Sequence, residues 1–151
     1  MLENLYPPFK SKAEKLLKDM QLYLDRNYPH LEVVVTEGFR TAAYQNRLWK
    51  KGRVTAPIGK AYIVTNCDGY INKSPHQSSC AIDIAFKSGN KLTWTVQTEV
   101  WDYYGHLIRQ YGLEWGGDWK SFKDQPHCQV KRDDKQTFAD AQAWQKENGL
   151  R

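Results

Sequence analysis

Ser74-Pro-His76-Gln-Ser-Ser-Cys80-Ala-Ile-Asp83-Ile-Ala-Phe86 changes character halfway along. Its first half, rich in Ser, Pro and Gln, reads as irregular backbone. From Ala81 onward, apolar Ile82, Ile84 and Phe86 alternate with Ala81, Asp83 and Ala85, the period of a β-strand with one face in a core. Asp83 then shares its face with two small side chains that leave room beside a carboxylate, and His76 stands in the loop entering the strand. A second pair, Asp124-Gln-Pro-His127, lies further on, where Pro126 biases Gln125 toward extended or turn backbone and His127 opens a short apolar run, 128–130. Two histidines and one carboxylate, His76, Asp83 and His127, make the three-ligand set that holds a catalytic zinc with a fourth position open, and Asp124 remains as a candidate base. Taken singly, each histidine also fits a surface or hydrogen-bonded structural role, so spacing alone leaves both readings open.

Outward from this centre, Val33-Val34-Val35 reads as a buried strand that delivers Glu37-Gly-Phe-Arg40, and Thr41 caps a helix running to about Lys51 and closed by Gly52. By spacing alone Arg40 suits a surface salt bridge. Earlier, Pro7-Pro8 and the helical recurrence of Leu16, Leu17, Met20 and Leu24 predict an amphipathic helix over 10–27, stopped by Pro29, with His30 a loop residue. Residues 53–73 are rich in Gly, Pro, Asn and Lys and read as a long surface excursion with one short strand at Tyr62-Ile-Val64; a loop of this length suits a groove wall. Beyond Phe86, 87–90 signals a turn. Val96, Val100, Tyr104, Leu107 and Tyr111 trace a helix face ending at Gly112, with Asp102 and His106 a surface pair. Trp115-Gly-Gly-Asp-Trp119 is too Gly-rich for a helix, and its aromatic rings suit a core or a cleft. A last helix is expected behind a Thr137 cap with Asp140 three residues on, its Phe138, Ala141 and Trp144 facing inward. The expected fold class is α+β: one domain, 1–151, with a small, mostly antiparallel sheet carrying the metal site, flanked by helices that include the N- and C-terminal ones.

Composition bounds the remainder. With 151 residues, 40% of them apolar and 26% charged, the chain is long enough to bury a core, and 6 Trp and 9 Tyr point to an aromatic-rich interior or groove. No run approaches the roughly 20 apolar residues of a membrane span, and no charged segment followed by an apolar core opens the chain, so synthesis in the cytoplasm is expected. The net charge of +5 favours anionic partners, but the basic residues are spread out and accompany no nucleic-acid motif. Cys67, Cys80 and Cys128 include no Cys-x-x-Cys; small buried apolar fillers are expected, and a Cys67 to Cys80 disulfide is out of keeping with a reducing compartment.

The pattern Ser74-x-His76-x6-Asp83 followed by Asp124-x-x-His127 resembles the zinc peptidases of the D-alanyl-D-alanine carboxypeptidase superfamily. Ala81, Glu37-Gly-Phe-Arg40-Thr, Gln45, Gly52-Arg53 and Trp115-Gly-Gly-Asp-Trp119 leading to Phe122-x-Asp124-x-Pro-His127 extend the match over roughly 33–130, and within the superfamily they are most similar to the phage-type L-alanyl-D-glutamate endopeptidases, or endolysins. The resemblance implies one Zn2+ per chain on His76, Asp83 and His127, Asp124 as base, Arg40 at the developing oxyanion, Gln45 in support, and the stem peptides of bacterial peptidoglycan as substrate. It implies a lytic role, with release by a holin-like partner into the periplasm or wall; the residues themselves lead us to expect no nucleic-acid partner, no membrane insertion and no separate wall-binding domain, and the oligomeric state stays open with a monomer favoured. A D,D-carboxypeptidase and an inert zinc-containing wall-binding module are the competing readings. Two positions depart from the family pattern: Ser79 stands where a Gly is usual, and Cys128 where an aromatic commonly follows the last His. If position 79 takes a positive φ, Ser79 is strained, since a Cβ resists that region.

Overall fold

The computed structural model describes residues 2–150. Helix α1 (Pro7–Asn27) begins at the two prolines, whose missing N–H groups fall in the first turn where no intrahelical acceptor waits, and it buries Phe9, Ala13, Leu16, Met20 and Leu24. Strand β1 (Leu31–Glu37) follows, then α2 (Ala42–Lys50), whose first turn is closed by Thr41 Oγ1 accepting from Tyr44 N at 3.1 Å. The excursion that comes next differs from expectation. Strands β2 (Lys51–Gly52) and β3 (Thr55–Ile58) form a small parallel pair, and 62–64 is no strand: Lys60–Tyr62 is a 3-10 turn in which Tyr62 N and Ile63 N bond back to Gly59 and Lys60 carbonyls, so these amides are satisfied locally.

The main sheet is built on β4 (Ala81–Ser88), the strand legible in the sequence. One edge of β4 pairs with β1, from Leu31 opposite Ser88 to Glu37 opposite Asp83. Its other edge is shared. Strand β5 (Lys91–Thr93) returns as a hairpin against Phe86 to Ser88, where the sequence signalled only a turn. Helix α3 (Thr98–Gln110) and strand β6 (Glu114–Trp115) then lead to β7 (His127–Gln129), which pairs with Ala81 to Asp83 and is flanked by β6. All of these pairings are antiparallel. Between β7 and β5 the β4 backbone is satisfied from outside the ladder: Ile84 N donates to Pro126 O and Ile84 O accepts from the Trp94 indole, both at 3.1 Å. Helix α4 (Lys135–Glu147) completes an α+β fold, the class the patterning predicts. Its cap is Asp134 and not Thr137, because the Asp134 carboxylate accepts both from Thr137 N and from Thr137 Oγ1.

Ile82, Ile84 and Phe86 point from β4 into a core completed by α1 and by Val100, Trp101, Tyr104, Leu107 and Ile108 of α3. Ala81 and Ala85, on the opposite face, are buried too, and between them Asp83 remains partly accessible. The Trp-Gly-Gly-Asp-Trp segment divides its aromatics: Trp115 is core, whereas Trp119 lines a cleft. Its glycines make one 3-10 turn, Gly116–Asp118. A Cβ on Gly116 would collide with the Asp124 carbonyl, and Gly116 O accepts from Asp124 N at 3.0 Å, so the missing side chain lets the Asp124 segment dock here.

Candidate metal centre

Antiparallel pairing sets Asp83 of β4 directly opposite His127 of β7, and Arg40 N bonds His76 O at 3.1 Å, drawing the His76 segment over the same sheet face. That segment is more ordered than its composition predicts. Pro75–Ser78 forms a 3-10 turn closed by a capping box, in which Ser74 Oγ accepts from His76 N and Gln77 Oε1 accepts from Ser74 N. One ligand atom from each of His76, Asp83 and His127 lies within 4.8 Å of the others, and this is a metal-type cluster among the described residues.

The hydrogen bonds around the two imidazoles fix which nitrogen faces the centre. Gly38 O accepts from His76 Nδ1 at 2.8 Å; a carbonyl cannot donate, so Nδ1 carries the proton. Burial pushes the His76 pKa down and outweighs Asp83, which favours the neutral ring. Its Nε2 lone pair is thus buried without a hydrogen-bond partner, 3.3 Å from Asp83 Oδ2. On the other side, Gln129 Nε2 donates to Val130 O, so its Oε1 is left to accept from His127 Nε2–H at 2.8 Å, and His127 Nδ1 faces Asp83 Oδ1 at 3.0 Å. Two ring nitrogens aimed at one carboxylate make an acceptor-rich pocket that needs positive charge in the middle, as a metal centre does, and each outer N–H has the acceptor that metal-binding histidines usually have. Burial lowers the His127 pKa, but the hydrogen bond and charge of Asp83 and the charge of Asp124 more than reverse this and raise it. Burial likewise raises the Asp83 carboxyl, yet the two histidines outweigh it and hold it well below the usual carboxylate range. The residues fit a zinc ion by donor type, number and orientation.

Arg40 closes one side. Its Nη2 donates to Asp83 Oδ2 and its Nη1 to Gln45 Oε1, each at 3.1 Å, while Nε lies 3.6 Å from Glu37 Oε1. Gln45, fully buried, uses its amide nitrogen on Thr65 Oγ1 and Cys67 O, so it ties Arg40 to the 53–73 excursion. Gly52 turns with φ +81, and Arg53 next to it bonds Thr65 O, holding the same excursion from below. Asp124 stands in the same cleft, its pKa raised by burial and then by the negative charge of Asp83. The cleft encloses about 1010 Å³, and Val64, Asn66, Trp119 and Phe122 are among the residues that line it.

Asp118 also lines the cleft but is engaged by Arg109 at 3.0 Å, and His30 is exposed. The Asp102 and His106 surface pair does not form: both are exposed, and the His106 ring lies against Tyr103, 5.9 Å between centroids. All three cysteines are free; Cys80 and Cys128 are buried, their thiols pushed up by burial, and Cys67 is half-buried. Ser79 does adopt the left-handed region, φ 59 and ψ 28. The sequence reading missed Gln129, although its position two residues after His127 on a strand places both on one face. It also missed the Glu114 carboxylate, which accepts from the Trp119 indole and from Arg132 and so steadies the aromatic wall.

Fold and centre together define a small, mostly antiparallel α+β domain built around a two-histidine, one-carboxylate metal-type site. Residues 68–130, the segment that carries the site, match the peptidase family described as D-alanyl-D-alanine carboxypeptidase. A peptidoglycan L-alanyl-D-glutamate endopeptidase, CwlK of Bacillus subtilis (strain 168), is 36% identical over 108 residues, which make up 66% of this chain and 61% of that protein. The chain thus spans about three fifths of the curated relative it matches. The fold is similar to that in the crystal structure of the Serratia marcescens L-Ala D-Glu endopeptidase ChiX, with a TM-score of 0.60 and 21% identity over 89% of this chain and 86% of that one.

Proposed function

We propose that the protein is a zinc-dependent peptidase of bacterial peptidoglycan that hydrolyses the L-alanyl-D-glutamate bond of the stem peptide. The observation that carries this reading is the convergence of His76 Nε2, Asp83 and His127 Nδ1 in one cleft that also holds Arg40 and Asp124. The relatives named for this bond support its choice.

In this reading His76, Asp83 and His127 hold one zinc ion, which when bound acidifies a water and polarises the scissile carbonyl. Asp124 takes the proton of the attacking water and returns it to the leaving amine; its raised pKa brings it closer to the range in which a carboxylate both accepts and releases a proton near neutrality. Arg40, fixed by Gln45 and Glu37, keeps a permanent multi-donor cation beside the centre, where negative charge grows on the carbonyl oxygen. The Trp119 and Phe122 wall supplies apolar surface to the peptide.

The test is digestion of purified sacculi, with mass analysis of the released muropeptides, by wild type and Asp124→Ala after zinc has been confirmed in both. Peptides with a new D-glutamate amine, released by wild type alone, support the bond and the base. Release of free D-alanine without such amines replaces the endopeptidase with a carboxypeptidase. Zinc bound without any cleavage moves the protein to an inert wall-binding module.

A further inference from the structure

The 3-10 turn that carries His76 ends on Ser79, whose left-handed backbone is one that a side chain with a Cβ disfavours. Its neighbours show what holds it there. Gln145 of α4 is completely buried, and its amide nitrogen donates to Ser79 Oγ at 2.7 Å and to Gln77 O at 2.8 Å. An amide NH2 has two protons, so both are accounted for, and both acceptors lie in the loop, one on either side of Ser78. Other ties hold the same loop: Tyr6 N donates to Ser79 O at 3.0 Å, Gln77 Nε2 to Gly69 O at 2.9 Å, and Gln142 Nε2, from α4 as well, to Ser78 Oγ at 3.4 Å. Gln145 and Tyr6 both lie outside the matched segment 68–130.

We infer that Gln145 is a positioning residue for the metal centre, its amide clamping Gln77 and Ser79 so that the turn between them presents His76 Nε2 to Asp83. The inference rests on His76 being a metal ligand, as proposed above. The clamp offers a physical account of serine at position 79. The hydroxyl provides an acceptor that glycine lacks, and the bond to Gln145 offsets the left-handed backbone penalty. Without the amide, Gln77 O is buried with one fewer donor and Ser79 can relax out of the left-handed region. Either change moves the carbonyl of His76, which Arg40 N and Ser79 N share, and with it the ring. The helix α4 thereby acts on the centre without touching it.

The experiment measures zinc affinity by competition with a chromophoric chelator, and the visible spectrum of the cobalt(II)-substituted protein, for wild type, Gln145→Met and Gln136→Ala. Met keeps the unbranched shape and removes the donor; Gln136 is exposed on the same helix. Loss of a partner that orients a metal ligand typically weakens binding by about 10–100-fold, the drop expected for Gln145→Met, together with altered cobalt bands and no change for Gln136→Ala. Adding Ser79→Gly to Gln145→Met recovers affinity, because glycine occupies the left-handed region without the Cβ penalty. A folded Gln145→Met that binds zinc as wild type does overturns the inference, as does a loss that Ser79→Gly leaves untouched. If Gln145→Met does not fold, Ser79→Ala decides: it deletes one acceptor and leaves Gln145 bound to Gln77, and unchanged affinity again overturns the clamp. A wild type that binds no zinc overturns the metal reading itself, a result distinct from all of these.

Discussion

Gln129→Leu removes the one acceptor that keeps the His127 proton on Nε2, and the geometry separates its effect on the zinc-free protein from its effect on metal binding. Gln129 is 3% exposed and its Oε1 lies 2.8 Å from His127 Nε2. A buried donor stripped of its partner costs about 1–3 kcal/mol. At roughly 2–4 °C per kcal/mol for a chain of this size, that range corresponds to a fall in Tm of about 2–12 °C. The proton has another place to go, since Nδ1 faces Asp83 Oδ1 at 3.0 Å. Moving it there relieves the unpaired Nε2–H and forms a charge-assisted bond, so the expected stability loss of the zinc-free variant lies near the lower end, about 1 kcal/mol. The same move blocks the nitrogen that zinc needs. Zinc affinity is then expected to fall toward the hundredfold end of the usual range for lost outer partners, or about 2.7 kcal/mol. Melting in chelator, zinc competition and nitrogen-15 chemical shifts of the His127 ring give the three readouts. A variant whose Tm falls by the full ~12 °C, keeps its proton on Nε2 and binds zinc as wild type does refutes the reasoning and leaves Gln129 a purely structural acceptor. Gln129→Glu, which retains an oxygen at that place, is expected to keep the metal.

Three further outcomes are expected. Asp124→Asn should retain zinc and lose about 10²–10⁴-fold in kcat, the usual contribution of a positioned base; an unchanged rate removes Asp124 from the mechanism. Because a base works deprotonated, and burial is the larger cause raising Asp124, activity of the wild type is lost as pH falls through a value above the ordinary aspartate range of about 3.9; a limb at or below that range counts against the assignment. Arg40→Lys keeps the charge but cannot reach Asp83 and Gln45 together as the guanidinium fork does, and kcat should drop by about 10²–10³-fold with zinc still bound; wild-type turnover by the lysine variant excludes a geometric role for the fork. Free zinc at a hundred times its Kd should stabilise the fold by about 2.7 kcal/mol, read as a Tm rise of roughly 5–11 °C over the chelated protein, and the gain should vanish in Asp83→Asn. Equal melting with and without zinc argues against a specific site.

Much of the centre is legible before folding because its parts follow short-range rules. Alternation around Asp83 marks β4 and the face that must be buried; the turn at Gln125 follows from the restriction Pro126 places on it; the Thr41 cap follows from hydroxyl acceptors at helix starts. Where local rules misled, a longer-range partner decided. Tyr62-Ile-Val64 has the residues of a strand, but its amides close turns on Gly59 and Lys60. Thr137 has the residue type of a cap, but Asp134 three residues earlier takes its donors. Lys91–Thr93 has little β character and becomes a strand because the free half of the β4 edge lies beside it.

The sequence by itself determined which side chains are offered to the centre, the strand that carries Asp83 and the unusual serine at position 79. Only the tertiary structure decided how those side chains face. The lone pair of His76 is chosen by a carbonyl, Gly38 O, and that of His127 by an amide oxygen, Gln129 Oε1. The left-handed turn behind His76 is held by Gln145, 66 positions away. Tautomer, ring orientation and loop conformation are set by hydrogen-bond partners from other elements, and such partners are adjacent in space without any fixed spacing along the chain.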